Sequence, residues 1–159
     1  YPAIDPLDSY SKYLEYPEVE QYLDEHIEKN WVRSVTEGKA IMQRGKEAND
    51  QISILGDDGV PVDYHERFWK SELLDAVSLQ QDAFDDIDAN CPIERQQVMY
   101  NMVLNICRKD LDFADFEECT KFFKDLIYLF RQMNYSVWKS EQFDNFASQI
   151  EAMVNSKLA

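Results

Sequence analysis

Apolar residues recur at intervals of three and four along much of this chain, which is the spacing of one face of an α-helix. The pattern is clearest after Pro92, a residue type that suits the first position of a helix. The apolar positions of that helix are Val98, Met99, Met102, Val103 and Ile106. A second run, KFFKDLIYLF at residues 121–130, predicts a strongly apolar helix with little polar face.

Less regular patterns predict four more helices. Residues 17–30 open with a proline and two glutamates, which favour the positive end of a helix. Residues 31–50 have an imperfect apolar face, and we expect Gly38 and Gly45 to weaken this helix by up to about 1 kcal/mol each relative to alanine. The other two predicted helices cover residues 63–79 and 140–156.

Turn and cap signals separate these helices. The segment GDDG at residues 56–59 is the clearest turn in the sequence. Asp115 followed by Glu118 is an aspartate-led variant of the capping box at a helix start. Two early prolines in residues 1–16 favour irregular structure there. The sequence therefore predicts an all-α fold, a bundle of about six helices preceded by a short irregular or extended N-terminal segment.

The charge of the chain excludes some partners. Of its 159 residues, 31 are acidic and 16 are basic, so the formal net charge is −15. This excess repels nucleic-acid backbones and anionic membranes, and we expect no nucleic-acid partner and no direct membrane contact. The sequence has no apolar run of about 18 residues and no signal peptide, which predicts a cytoplasmic protein. Its three widely spaced cysteines indicate reduced thiols rather than disulfides.

The motifs of common catalytic sites are not found. In a P-loop, the Gly-Lys at residues 45–46 would be followed by Ser or Thr and preceded by another glycine, but the chain has Glu47 and Ala40 at these positions. A zinc-binding helix that uses His65 would need a second histidine where Trp69 stands. We therefore expect no catalytic residue and no metal site, and spacing and composition alone indicate an acidic helical interaction domain.

A loop rich in aspartate offers two further alternatives, a calcium site and an independent hydrolase. The residues concerned are Asp82, Asp85, Asp86 and Asp88. This loop lacks the central glycine and the terminal glutamate of the twelve-residue calcium-binding pattern. A solvated acidic loop is the favoured interpretation.

Two segments resemble the catalytic A subunit of V-type and A-type rotary ATPases. The first is LQQDAFD at residues 79–85, with Asp88 and Cys91-Pro92 following it. The second is residues 1–13, where YPAI and SYSKY look like the stretch at which that subunit's nucleotide-binding domain gives way to its C-terminal helical domain. The order and spacing of the two segments suit this family over essentially the whole chain.

Two positions depart from the family's usual pattern. Ser78 stands where many members have phenylalanine before the Leu-Gln-Gln run. Asp5-Pro6 replaces the commoner Asn-Trp after Ala-Ile. The second departure suggests the bacterial branch of the family.

The resemblance implies how the chain is divided and what it leaves out. Residues 1–16 would be the end of the nucleotide-binding domain or a connecting segment, and residues 17–159 would be the C-terminal helical domain. In this family the P-loop, the carboxylate that activates water and the magnesium-binding groups lie upstream of these segments. We therefore expect this fragment to be inactive alone and to bind no cofactor tightly.

The resemblance also implies what the full-length subunit does. It would bind ATP or ADP with magnesium and couple ATP hydrolysis or synthesis to proton or sodium transport. Its partners would be the B subunit and the central stalk subunits, in a complex attached to the cytoplasmic side of a membrane. The C-terminal domain would contribute part of the adenine pocket and a surface that meets the rotating stalk.

Four residues are carried over to the adenine pocket. Phe84 matches the family's aromatic residue at the adenine edge, where its face would stack on the purine. Ala83 lies beside it and leaves room for the ring, and Gln80 and Gln81 lie in the adjoining turn. The alternative is that Phe84 is a core residue that fills a gap between helices.

The link between the two most apolar helices, residues 109–118, is the candidate contact with the stalk. The candidate residues are Asp110, Asp112, Phe113, Asp115 and Phe116. In the related F-type enzymes an acid-rich helix-turn-helix tip occupies a comparable position. The alternative is a solvated linker whose acids cap helices.

For the whole chain, the alternative is a free-standing acidic helical module that binds a partner through its aromatic faces.

Overall fold

The fold is all-α, as the apolar periodicity predicts. The computed structural model describes residues 5–9 and 11–158. Its α-helices in chain order are α1 (Pro17–His26), α2 (Trp31–Leu55), α3 (Val62–Leu74), α4 (Asp86–Ala89), α5 (Ile93–Cys107), α6 (Phe116–Asn134) and α7 (Glu141–Asn155). Within the described residues the only β-type pairing is an isolated bridge between Leu111 and Leu158. None of the helices described is long and apolar enough to cross a membrane.

The predicted helices are all present, with differences at their ends. Helix α2 continues to Leu55, beyond the predicted end at residue 50, and stops at Gly56, whose φ of 80° places it in the left-handed region. The predicted 63–79 helix is α3 followed by a π-helical turn, Asp75–Leu79. Helix α4 is not predicted, because it has only four residues. Of the N-terminal segment, residues 1–4 and 10 lie outside the described part, and Lys12–Glu15 form a 3₁₀ helix.

Helices α2 and α3 form a closely packed hairpin, and the two glycines of α2 lie at close contacts, Gly45 with α3 and Gly38 with α5. A Cβ atom added at Gly45 would lie 2.1 Å from the Cβ of Ser71 on α3. A Cβ atom at Gly38 would lie 2.2 Å from the hydroxyl oxygen of Tyr100 on α5. The sequence-based expectation concerns helix propensity alone, and it does not reveal that packing against Ser71 requires the absence of a Cβ atom at Gly45.

Helix α6 lies at the centre of the core. Its buried residues are Cys119, Phe122, Phe123, Leu126, Phe130, Met133 and Asn134. Helix α6 packs against both α3 and α7. The indole nitrogen of Trp69 donates a hydrogen bond to the hydroxyl of Thr120 at 3.0 Å, which fixes the α3–α6 contact.

The start of α6 has the cap that the sequence predicts. The backbone N–H of Glu118 donates to the carboxylate of Asp115 at 2.8 Å, and the backbone N–H of Ala114 donates to the carboxylate of Glu118 at 2.8 Å. Both bonds satisfy N–H groups that have no partner within the helix. Lys157 forms an ion pair with Glu118, so the end of the chain is tied to the same place.

The three cysteines are free thiols, as predicted. Burial raises the pKa of Cys107 and of Cys119 to about 12. Burial also raises the pKa of Cys91. Because a thiolate is the reactive form, none of these cysteines has the environment of a nucleophile.

Candidate functional site

A π-helical turn fixes the point at which the candidate adenine loop leaves α3. The backbone N–H of Gln80 donates to the carbonyl of Asp75 at 3.0 Å, and the side-chain amide of Gln80 donates to the carboxylate of Asp75. Such turns occur frequently at functional sites. The loop that follows, residues 80–85, leads into the short helix α4.

The aspartates of this loop hold its backbone in place. The carboxylate of Asp88 accepts a hydrogen bond from the N–H of Asp82 at 2.8 Å. The carboxylate of Asp82 accepts one from the N–H of Phe84 at 2.9 Å. Asp85 caps α4 by accepting hydrogen bonds from two backbone N–H groups at 2.8 and 3.0 Å. Three of the four aspartates therefore have structural partners within the loop.

These hydrogen bonds argue against the calcium and hydrolase alternatives, because the carboxylates already serve the loop backbone. Asp88 is only 4% exposed, so its carboxylate is directed at the loop backbone and away from solvent. Over residues 5–9 and 11–158, no group of three or more His, Cys, Asp and Glu side chains is arranged to hold a metal ion. The observed role of the cluster is to brace the loop.

Phe84 projects fully into solvent from the braced loop. Its side chain is 100% exposed, so the alternative that it fills a gap between helices is wrong for this chain. Ala83, Gln80 and Gln81 are exposed beside it. An apolar ring in water is less favourable than one covered by another apolar surface. The hydrogen-bonded loop presents this ring with its face free for stacking.

The two glutamines also line a small cavity of about 180 Å³ behind the loop. The other residues that line it are Ala76, Asp82, Asp88, Arg131, Asn134 and Tyr135. The hydroxyl of Tyr135 donates to the carboxylate of Asp82 at 3.2 Å, and this bond raises the pKa of Tyr135. Phe84 is not among the residues that line this cavity, so the cavity and the exposed aromatic face are separate features of the loop.

Sequence reasoning missed Arg131 and Tyr135. They come from the carboxyl end of α6, about fifty residues after the loop, and nothing in the local pattern links the two. Their neighbour Asn134 begins a glycosylation triplet, Asn-Tyr-Ser, but Asn134 is 5% exposed and Ser136 is 1% exposed. The triplet therefore lies in the packed part of the domain.

The candidate stalk segment, residues 109–118, divides into inward and outward side chains. Asp110 and Asp112 are exposed. Phe113 packs against Phe122, with ring centroids 5.3 Å apart, and Phe116 stacks on His65 of α3 at 5.2 Å. Asp115 caps α6, as the helix-cap alternative proposes for the acids of this link.

The turn between α2 and α3 lies beside this segment, and the last two residues of α2 before it are exposed aliphatic residues that sequence reasoning missed. Ile54 is 75% exposed and Leu55 is 56% exposed. The ring of His65 makes a hydrogen bond with the carbonyl of Asp57 at 3.0 Å and stacks on Phe116, so it joins the turn to the start of α6. The sequence signal for this surface was the pair of adjacent apolar residues, Ile54 and Leu55, directly before Gly56.

The two candidate surfaces lie at opposite ends of α6. Its 19 residues span about 28 Å. The carboxyl end of α6 meets the candidate adenine loop through Tyr135 and Asp82, and the amino end meets the α2–α3 turn through Phe116 and His65. A single helix with one buried face therefore connects the two regions.

The sequence is similar to proteins of known family. Residues 20–121 match the family described as the C-terminal domain of V and A type ATP synthase. The V-type ATP synthase alpha chain of Borrelia duttonii is 34% identical over 157 residues, which are 99% of this chain and 25% of that relative. The corresponding chains of Treponema denticola and Protochlamydia amoebophila are 33% and 31% identical over 99% of this chain, which covers 24% and 26% of them. This chain thus spans about a quarter of the length of these relatives.

Proposed function

Because this chain belongs to the family of C-terminal domains of V- and A-type ATP synthases, we propose that it forms the adenine side of a nucleotide site and transmits closure of that site to a central rotor stalk. The observation that carries the first half is the complete exposure of Phe84 on a braced loop. An aromatic face that stacks on a base contributes about 1 to 3 kcal/mol in other systems. Family membership favours this role over that of a free-standing interaction module.

The nucleotide's phosphates are bound elsewhere in this proposal. The sequence has no P-loop. Phosphate contacts supply much of the affinity for a nucleotide, so they would come from the upstream part of the full-length subunit, together with magnesium. The chain by itself would bind ATP or ADP weakly.

Helix α6, whose apolar face is packed in the core, is the element that would carry the motion. A packed helix moves as a rigid body, since its core side chains have few alternative arrangements. A shift of the loop at one end of α6 would therefore displace the region of residues 109–118 and the α2–α3 turn at the other. The B subunit and the stalk subunits are the proposed partners, and proton or sodium transport is the proposed output of the whole complex.

The nucleotide half of the proposal is tested by Phe84→Ala in the full-length subunit of the assembled enzyme. Loss of the stacking face is expected to raise the KM for ATP about tenfold, which corresponds to about 1.4 kcal/mol. Phe84→Trp keeps a stacking face and should stay within about threefold of the parent. Tyr128→Ala, which removes another exposed aromatic residue, is the matched control. An unchanged KM in Phe84→Ala would contradict the proposal.

The stalk half is tested by two double variants in the same enzyme, Asp110→Asn with Asp112→Asn and Ile54→Ser with Leu55→Ser. Each should lower the number of ions transported per ATP hydrolysed to about half, while the KM for ATP stays the same. Asp115 is left intact because its loss would remove the cap of α6, worth about 1 kcal/mol.

The control for these variants removes two exposed acids at the other end of the molecule. Glu141→Gln with Asp144→Asn changes the first turn of α7 and should leave transport per ATP unchanged. If both double variants transport as many ions per ATP as the control, this end of the domain does not meet the stalk.

A further inference from the structure

Arg95 is a completely buried cation without an acidic partner in the described residues. It lies in the first turn of α5 and is 1% exposed. None of the carboxylates of residues 5–9 and 11–158 lies within 4.0 Å of its guanidinium group. Burial of a charge in this way is unfavourable unless hydrogen bonds replace the lost hydration.

The hydrogen bonds of Arg95 go to main-chain carbonyls of two other helices. One terminal nitrogen, Nη2, donates to the carbonyls of Met133, at 3.2 Å, and Asn134. The other, Nη1, donates to the carbonyl of Ile87 in α4 at 3.4 Å. The ring of Phe143 on α7 faces the group, with its centroid 5.9 Å from the guanidinium carbon. The Nε atom has no hydrogen-bond partner.

The positions of these carbonyl acceptors show that the Arg95 side chain connects the end of α6 with α4. Met133 and Asn134 are the last residues of α6, where carbonyls lack partners within the helix and the helix dipole is negative. Ile87 belongs to the short helix that directly follows the loop of Phe84. The other bond between the loop and this end of α6, from Tyr135 to Asp82, lies at the exposed surface, where water competes for both groups.

We infer that Arg95 is a positioning residue that fastens the loop of Phe84 to the carboxyl end of α6, so that the two move as one unit. This inference rests on the proposed function, because it concerns how the loop is held and how its motion reaches α6. A guanidinium group suits this role, since its planar fork reaches both sets of carbonyls at once. A lysine ammonium group is a single point charge and can serve only one set fully.

The test uses Arg95→Met and Arg95→Lys in the full-length subunit of the assembled enzyme. Methionine keeps much of the volume without the charge, a replacement that leaves many buried sites stable. Arg95→Met is expected to raise the KM for ATP about fivefold and to halve the ions transported per ATP. Backbone hydrogen exchange in residues 82–88 should become about tenfold faster. Arg95→Lys should give intermediate values and keeps the test valid if the methionine variant does not fold.

Leu104→Ala is the matched control, because Leu104 is another fully buried side chain of α5 and lies nine residues after Arg95. It should lower thermal stability while exchange in residues 82–88 and transport per ATP stay the same. The inference is overturned if both Arg95 variants keep the parent exchange rates in residues 82–88, or if Leu104→Ala accelerates them equally. Failure of the proposed function appears separately, as an unchanged KM in Phe84→Ala.

Discussion

Replacing Gly45 by alanine is expected to lower the free energy of unfolding by about 3 kcal/mol, although helices intrinsically favour alanine over glycine by about 1 kcal/mol. The new Cβ atom would lie 2.1 Å from the Cβ of Ser71 and 3.2 Å from the carbonyl oxygen of Arg67. Both atoms are fixed to the backbone of α3 and cannot rotate away. The two helices must therefore separate along their closest contact, which urea unfolding followed by circular dichroism would measure.

A second variant separates the steric cause from a general effect on α2. Ser71→Gly removes the two closest atoms and leaves only the carbonyl oxygen of Arg67, so the Gly45→Ala, Ser71→Gly double variant should recover at least about 1 kcal/mol relative to the sum of the single changes. Lys46→Ala, at the exposed neighbouring position, should change stability by less than about 0.5 kcal/mol. A gain in stability for Gly45→Ala would mean that helix propensity dominates and that the packing argument is wrong.

The glycines show where prediction from a single sequence fails. Propensity is a local property: it places a helix over residues 31–50, but it does not show which part of the fold the two glycines pack against. Gly38 and Gly45 are seven residues apart, which puts them on one face of α2. That face packs against Ser71 and Tyr100, which are 26 and 62 residues further along the chain. The sequence contains no local sign of these contacts.

Local sequence signals predicted the helix ends more reliably than they predicted contacts between distant residues. The cap formed by Asp115 and Glu118 is visible in the sequence because both of its residues lie within one turn. Pro92 likewise marks the start of α5, although it occupies the cap position and not the first turn. The π-helical turn at residues 75–79 was not predictable, because its residue types differ little from those of an α-helix and its position depends on the packing of α3 against α5 and α6.

The candidate sites were predictable to different degrees. A resemblance in residues 79–92 drew attention to Phe84, and composition alone would not have done so. Phe113 and Phe116 stay predicted stalk contacts, and the structure adds that both are half-buried, with their rings packed on Phe122 and His65. Arg95 was overlooked, since a lone arginine in a helical pattern is usually exposed. Its burial depends on the carbonyls at the end of α6, which only the folded chain brings near.

Phe123→Ala is expected to have the largest effect on stability, a loss of about 4 kcal/mol in the free energy of unfolding. Phe123 is 0% exposed and lies between three other aromatic rings. Its centroid is 5.3 Å from that of Phe122, 6.0 Å from that of Phe113 and 6.5 Å from that of Trp69. Alanine would leave a cavity that these rings cannot close without leaving their own contacts. Urea unfolding, followed by tryptophan fluorescence and circular dichroism, measures the loss.

Two variants show whether this loss comes from the cavity. Phe123→Leu retains most of the buried volume and should cost about 1.5 kcal/mol. Phe84→Ala is the same chemical change at a fully exposed position, so it should alter stability by less than about 0.5 kcal/mol. A loss below about 1 kcal/mol in Phe123→Ala would mean that the start of α6 can repack. Helix α6 would then be too compliant at that end to carry motion over its about 28 Å length, and the proposed transmission to the stalk would lose its structural basis.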